Sequence, residues 1–347
     1  MSRSDRIHRV YFRITRFEFW PFWLFYLPMY FYGLCLAIRS GSFTYFTAAN
    51  PVMKYGGAFG TSKFDVLQRI GGGLVPSAIL INGDEGEEGL IEELDGAGIS
   101  FPLIAKPDVG ERGKGVELIQ DPEELMKYLP QIRGEIILQE YISLPHELGI
   151  LYYRYPDGTG EGISSVVIRD FLSVTGDGSK TLKELINEKM RAAKHRKYLY
   201  RKHSARLEEV PRHEETILLE PIGNHCRGTR FLNGNHLINQ DLLKTISGIA
   251  MRIEGFDYGR FDLKVEELEN LDKGEGILIL ELNGCNSEPA HIYDPGYRIF
   301  QAYRDIARHM RIIFKISRCN HRNGTPYASF GRFYSDLLIH ISSGISK

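Results

Sequence analysis

Four side chains in two apolar runs have types and spacing that could do chemistry. They are Arg260 and Asp262 in "GRFDLKV", and Glu281 and Asn283 in "GILILELN". Residues two apart on a strand face the same side. Arg260 therefore shares a face with Asp262, and Glu281 with Asn283, and neighbouring strands could bring the two pairs together. Three oxygen-bearing side chains on a rigid sheet suit Mg²⁺, which takes one or two carboxylates and completes its shell with water and phosphate oxygens. An arginine on the same face could stabilise developing negative charge. The competing reading is a solvated sheet edge, and "ILILELN" is too apolar for that.

A second group lies in "AKPDVGERGKGVELI", residues 105–119. A strand delivers Lys106, and a loop with Gly110, Gly113 and Gly115 returns the chain to another strand. Glycine lets backbone N–H groups approach phosphate oxygens, and lysine adds a point charge. The loop lacks the GxxxxGK[ST] pattern leading into a helix, and it joins strand to strand, so neither a Walker loop nor a Rossmann fingerprint is present. A mobile glycine-rich hairpin remains the alternative. Third, Glu140 and Glu147 bracket a short linker in "LQEYISLPHELGI". Such a hinge could offer backbone groups to a base and a carboxylate to sugar hydroxyls.

The elements that must position these groups alternate along the chain. "TSKFDVLQRI" (61–70), "EEGLIEEL", "QDLLKTISGIAMRI" and "YRIFQAYRDIARHMRIIFKI" read as helices, the last as a closing helix. "DPEELMKYL" reads as a helix capped by Asp121 with Pro122 in its first turn. Strands are expected at "SAILI", "FPLIAK", "GVELI", "FDYGRFDLKV" and "GILILELN", with 135–142 and 148–153 as a pair. Residues 180–207 read as one long basic helical stretch. The pattern is that of an α+β or α/β enzyme with its site along strand termini. The 347 residues allow two or three subdomains, and a net charge of −1 gives no reason to expect nucleic acid. The four cysteines show neither a metal-ligand spacing nor a disulfide framework.

In this order and spacing the motifs resemble the ATP-grasp superfamily over about residues 60–315. Lys63 stands where the family's first nucleotide-binding lysine precedes a turn, and Lys106 resembles the second. Glu140, Ile142 and Glu147 look like the adenine hinge and ribose-binding glutamate of D-alanine–D-alanine ligases. Arg260 resembles that family's oxyanion-stabilising arginine, and Asp262, Glu281 and Asn283 its ligands for two magnesium ions. "VTGDGSKTLKELI" (174–186) is similar to an element of cyanophycin synthetases. "GNHCRGTRF" (223–231) takes the place of their segment over the phosphates and substrate carboxylate, which implies substrate-binding roles for Arg227 and Arg230. It departs from them at His225, Cys226 and Arg227, as does "NGCNSEPAHIYDP" after the metal ligands.

The resemblance implies an ATP-grasp fold of two α+β subdomains gripping the nucleotide. The implied layout is an N-terminal segment 1–58, a grasp domain 59–318 with its lid at about 101–145 and a basic insertion at about 180–207, then a C-terminal tail 319–347. The implied activity is an ATP- and Mg²⁺-dependent carboxylate–amine ligase working through an acyl phosphate. Its partners would be a small carboxylate and an amine, with amino acids and lipid-linked groups both open, and homo-oligomer formation is open too. The second reading is a membrane-associated ATP-binding or kinase-like protein that makes no amide.

Residues 19–38 are twenty uncharged residues, nine of them aromatic. This length could cross a bilayer. Arg3, Arg6, Arg9, Arg13 and Arg16 precede it, so the positive-inside rule would place a single span's downstream domain away from ATP. A cleaved signal peptide fits the composition poorly. The favoured expectation is a broken helical hairpin, turning near Pro28, that lies in the cytoplasmic leaflet with the protein peripheral on that face. Packing of the aromatics on the protein itself is the alternative. Residues 189–206 hold eight Lys or Arg among eighteen and read as a solvated insertion or as a basic face for an anionic surface.

Overall fold

A computed structural model of the chain describes residues 16–82, 87–110, 113–223 and 227–345. His225, Cys226 and the arginines before Arg16 lie outside the described residues.

Two antiparallel sheets organise the chain. The smaller contains β1 (Ala78–Ile81), β2 (Leu103–Pro107), β3 (Glu117–Ile119) and β4 (Ile136–Glu140) in the order β1-β4-β2-β3. The larger contains β5 (His146–Arg154), β6 (Glu161–Asp170), β9 (Arg230–Asn233), β10 (Tyr258–Val265) and β11 (Leu278–Asn283) in the order β11-β10-β5-β6-β9. β7 (Ser173–Thr175) and β8 (Thr216–Leu218) pair separately.

The expected pairing of 135–142 with 148–153 is corrected. β4 pairs with β1 and β2, whereas β5 pairs with β6 and β10. Both runs are apolar because each is central in its own sheet. The linker between them therefore joins two sheets.

Each sheet is backed by short amphipathic helices. α3 (Lys63–Ile70) opens at Ser62, whose hydroxyl accepts from the Asp65 N–H at 3.0 Å. Its Val66, Leu67 and Ile70 join Leu242, Ile246 and Ile249 of α8 (Gln240–Ala250) in the core under the larger sheet. Each such side chain, fully buried, contributes roughly 1.5–3 kcal/mol. α4 (Glu87–Gly96) and α5 (Pro122–Tyr128) cover the smaller sheet with Leu90, Leu94 and Leu125. Asp121 caps α5 as the sequence suggests, accepting from the Glu124 N–H at 2.8 Å.

The long basic helix does not form as one piece. α6 (Leu182–Glu188) and α7 (Arg196–Lys202) are separated and followed by short 3-10 turns, and they fold over β7 and β8 around Leu182, Leu185, Ile186 and Leu199. A capping box at Thr181 and Glu184 starts α6, and Lys189 ends it in extended geometry.

No hairpin turns at Pro28. A single turn, α1 (Phe22–Phe25), leads into α2 (Leu27–Ser40), where Pro28 occupies the first turn, the place a helix tolerates it. Among the described residues no helix is long and apolar enough to cross a membrane. α2 packs on α9 (Ile299–Arg322), and Phe25 stacks on Tyr303 with ring centroids 5.4 Å apart. α9 does not close the chain either, because α10 (Phe330–Ile345) follows within the expected tail.

The segment after α2 is tied to β10 by Asn50, which is fully buried. Its Nδ2 donates to Gly56 O at 2.9 Å and Tyr258 O at 2.8 Å, while its Oδ1 accepts from the N–H groups of Asp257 and Tyr258, both at 2.9 Å. Asn50→Ala orphans these groups at the start of the strand that carries Arg260 and Asp262. The expected loss is about 2–5 kcal/mol in denaturant unfolding, and a loss under about 1 kcal/mol would show that Asn50 does not anchor β10.

Candidate functional site

β10 places Arg260, Asp262 and Lys264 on one face, and the register sets Asp262 opposite both Glu281 on β11 and Gly149 on β5, with Arg260 opposite Asn283. Gly149 is required there. A Cβ would lie 3.0 Å from both the Arg260 Cδ and the Asp262 Oδ1. Arg260 donates to both oxygens of Asp262, Nε at 2.6 Å and Nη2 at 2.9 Å. Asn283 Nδ2 donates to Asp262 Oδ2 at 3.3 Å, which leaves the amide oxygen of Asn283 for another partner.

A third donor, Arg169 on β6, was not anticipated from sequence. Its Nη2 lies 2.8 Å from Asp262 Oδ2, and its Nη1 donates to Glu147 Oε1 at 2.5 Å and to Gly223 O at 2.7 Å. Burial pushes the Asp262 pKa up, but Arg169 and Arg260 outweigh it and hold the carboxyl below its usual range. Burial opposes the charge on Arg169, and Asp262 with Glu147 more than restores it. The sequence signal was a lone arginine ending the apolar run "SSVVIRD".

Lys106 is buried at the end of β2, where its Nζ donates to Gln139 Oε1 at 2.9 Å and Leu280 O at 3.2 Å. Burial lowers its pKa to about 8, with Glu281 pulling the other way. Lys63 opens α3, and its Nζ donates to Asp108 O at 3.0 Å and Gly110 O at 2.7 Å, pinning the start of the glycine loop. At the hinge, Lys264 Nζ donates to Ile142 O at 2.6 Å and lies 5.4 Å from the Tyr141 ring centre. The alternation Arg260, Asp262, Lys264 made this lysine readable in the sequence, although it was not singled out.

These groups line one cavity of about 1710 Å³. Lys63, Lys106, Gly110, Gly113, Glu140, Ile142, Glu147, Arg260, Asp262, Glu281 and Asn283 all face it, joined by Arg169 and Lys264. Three expected residues are not among its described lining. Gly115 packs instead: a Cβ there would lie 2.9 Å from Pro107, and its carbonyl accepts from Tyr128 Oη at 2.6 Å. Arg227 Nη2 donates to Gly113 O at 3.1 Å and Val116 O at 2.9 Å, so its fork is spent holding the glycine loop. Arg230 is about half exposed and pairs with Asp170 at 2.6 Å. Cys285 has a thiol pushed up to about 12 by burial, which suits a packed side chain better than a nucleophile.

Residues 64–150 match the RimK-like ATP-grasp domain. The likeness to ATP-grasp domains covers about a quarter of the chain. This match spans Lys106, the glycine loop and the hinge, and it ends before Arg169 and the Asp262 cluster. A formate-dependent phosphoribosylglycinamide formyltransferase from Sulfolobus acidocaldarius is 34% identical over 77 residues, 20% of this chain and 19% of that protein. The corresponding protein of Sulfurisphaera tokodaii is 32% identical over 69 residues, 18% of this chain and 17% of that one. The chain thus spans under a fifth of these curated relatives. A D-Ala:D-Ser ligase from Enterococcus faecalis aligns at 14% identity and TM-score 0.42, over 74% of this chain and 61% of that one. D-alanine–D-alanine ligase from Bacillus anthracis gives 13% and 0.40, over 75% and 67%. At these scores the two solved structures carry no argument about activity.

Burying a protonated Lys106 costs stability wherever the lysine is charged. The cost is complete below about pH 8 and fades as pH rises toward the ordinary lysine value near 10.5, because the unfolded chain holds the proton longer. Lys106→Met is therefore expected to melt no lower than wild type at pH 7. The same variant should bind ATP at least tenfold more weakly by calorimetry. Unchanged ATP affinity would remove Lys106 from the nucleotide site.

Proposed function

We propose that the chain is an ATP- and Mg²⁺-dependent ligase that joins a carboxylate to an amine through an acyl phosphate. The observation that carries this reading is the convergence of Lys106, Arg260, Asp262, Glu281 and Asn283 on the cavity of an ATP-grasp domain.

The donor types suit a hard divalent cation, which on binding would have to displace a guanidinium from Asp262, whose two oxygens are held by Arg169 and Arg260. Asp262 and Glu281 are opposed across β10 and β11, and Asn283 keeps its amide oxygen while its Nδ2 is turned to Asp262. Asp262, Glu281 and Asn283 would hold magnesium, two ions on this reading, which when bound neutralises phosphate charge. Lys63 and Lys106 bind phosphate oxygens, and main-chain N–H groups around Gly110 and Gly113 close over them. Main-chain groups at Glu140 and Ile142 face the adenine, and Glu147 the ribose hydroxyls. Arg260 stands where negative charge spreads over the transferred group.

In the first step a carboxylate oxygen bonds to the γ-phosphorus, the bond from that phosphorus to the β,γ-bridging oxygen breaks, and ADP leaves with the electron pair. An amine nitrogen then bonds to the acyl carbon, phosphate departs, and the nitrogen loses its proton. Acyl phosphates hydrolyse readily, so the lid pinned by Arg227 must keep water out.

Peripheral attachment to the cytoplasmic face of a membrane is the second part of the proposal. Its support is the outer side of α1 and α2, where Trp23 is 63%, Phe31 66% and Ile38 68% exposed. Interface-seeking aromatics of this kind favour the headgroup region. Arg191 pairs with Glu18 at 2.6 Å and Lys202 with Glu220 at 3.1 Å, so part of the basic insertion's charge is spent within the protein. Arg227 is engaged by the glycine loop and Arg230 by Asp170, so neither is held free for a substrate carboxylate, which favours one alternative, phosphoryl transfer without amide formation.

Glu281→Gln is expected to cut Mg·ATP turnover at least 100-fold with the melting temperature within a few degrees of wild type. Mass analysis of products from carboxylate–amine mixtures then separates the readings: an amide with ADP and phosphate supports ligation, and a phosphorylated product supports the alternative. Full turnover by Glu281→Gln would falsify the metal assignment.

A further inference from the structure

The cavity is larger than its nucleotide groups require. Pockets for a single small ligand run to about 300–1,000 Å³, and this one is about 1710 Å³. Part of its wall is rich in apolar side chains, Phe17, Trp20, Phe22 and Phe25 from the N-terminal stretch with Met190 and Tyr293, and Glu18, Arg191, Lys194, His195 and Glu288 line the cavity with them. Glu18 holds that stretch to the insertion through Arg191, an ion pair with side-chain exposures of 4% and 15%. The N-terminal stretch and the insertion thus meet beside one cleft.

Lys63, Lys106 and Arg260 supply cationic groups to the cleft, and the N-terminal stretch supplies much of its aromatic area. The wall also continues outward: Phe22 lines the cavity yet is 45% exposed, and neighbouring Trp23, outside the lining, is 63% exposed. An amphiphile entering along this surface would keep its hydrocarbon on aromatic rings while its charged end reached Arg260.

On the ligase reading above, we infer that the carboxylate substrate carries an apolar body, a medium- or long-chain acyl group, which the aromatic wall binds. Arg260 receives the carboxylate. Trp20 and Phe22 receive the chain, with buried Phe17 and Phe25 packed behind them.

The chain's two tryptophans allow a direct test. Trp23→Phe leaves Trp20, on the cavity wall, as the single reporter. Its fluorescence is titrated with hexanoate, octanoate and decanoate below their aggregation limits, without nucleotide or vesicles, with acetate and 1-decanol as controls. The expected result is a saturable change whose midpoint falls by about fourfold per added methylene, with acetate silent and decanol at least tenfold weaker than decanoate. Adding Phe22→Asp should weaken decanoate at least tenfold. Midpoints independent of chain length overturn the inference, as does decanoate binding untouched by Phe22→Asp in a variant that melts like its parent. Mg·ATP binding is measured by calorimetry on the same Trp23→Phe protein. A silent Trp20 in protein that binds Mg·ATP overturns the inference and leaves the ligase reading standing. A silent Trp20 in protein that binds no nucleotide overturns both.

Discussion

Asp262 is a buried carboxylate that the larger sheet must keep charged, and the arrangement of β5, β6, β10 and β11 follows from that constraint. Arg169 and Arg260 reach it from two strands, Asn283 from a third, and Gly149 supplies the missing side chain that makes room. An unpartnered charge there would cost several kcal/mol, and a paired one stays tolerable only while every partner is held in place. Arg169 is the hub, since it also grips Glu147 and the Gly223 carbonyl. One guanidinium therefore couples the metal-type carboxylate, the hinge-side carboxylate and the segment leading to Arg227. Any ligand that draws Asp262 or Glu147 away must therefore break a contact of Arg169.

The smaller sheet contributes through Lys106, a buried lysine whose pKa is lowered to about 8 by its surroundings. Its site offers the carbonyl oxygens of Gln139 and Leu280 and the nearby Glu281, which offset part of the burial cost. The fold thus accepts a local penalty at the junction of its two sheets. Such penalties concentrate where function requires a charge to stand ready in a poorly hydrated place. Across the cleft, Lys264 holds the Ile142 carbonyl, so the hinge between the sheets is fixed by a side chain from the same strand as Asp262.

Much of this was legible in the sequence because strand alternation is local. The i, i+2 pairs at Arg260/Asp262 and Glu281/Asn283 and the strand end at Lys106 follow from neighbours in the chain. Partner choice is not local. β5 pairs with β10, more than a hundred residues later, and nothing in 148–153 distinguishes that partner from adjacent β4. Arg169 was hidden for the same reason, since its role depends on carboxylates from β5 and β10. Residues 180–207 carry helical composition, but β7 and β8 beneath them impose a compact, broken path. Gly115 and Arg227 make their contacts within the lid segment and Arg230 makes its own with Asp170, partners that local spacing does not reveal. The aromatic stretch reads as a membrane element by composition. Half of its meaning lay in Tyr303 and Ile306, far along the chain, against which Phe25 packs.

The account rests on Asp262, Glu281 and Asn283 together holding cations beside the phosphates of a nucleotide. Crystals grown with Mn²⁺ and a non-hydrolysable ATP analogue test this most directly through anomalous scattering from manganese. The account expects a peak at about 2.0–2.3 Å from oxygens of Asp262 and Glu281, with the analogue's phosphates against Lys106. A manganese peak elsewhere, or a nucleotide bound while Arg169 and Arg260 still enclose Asp262 with no cation beside it, would contradict it.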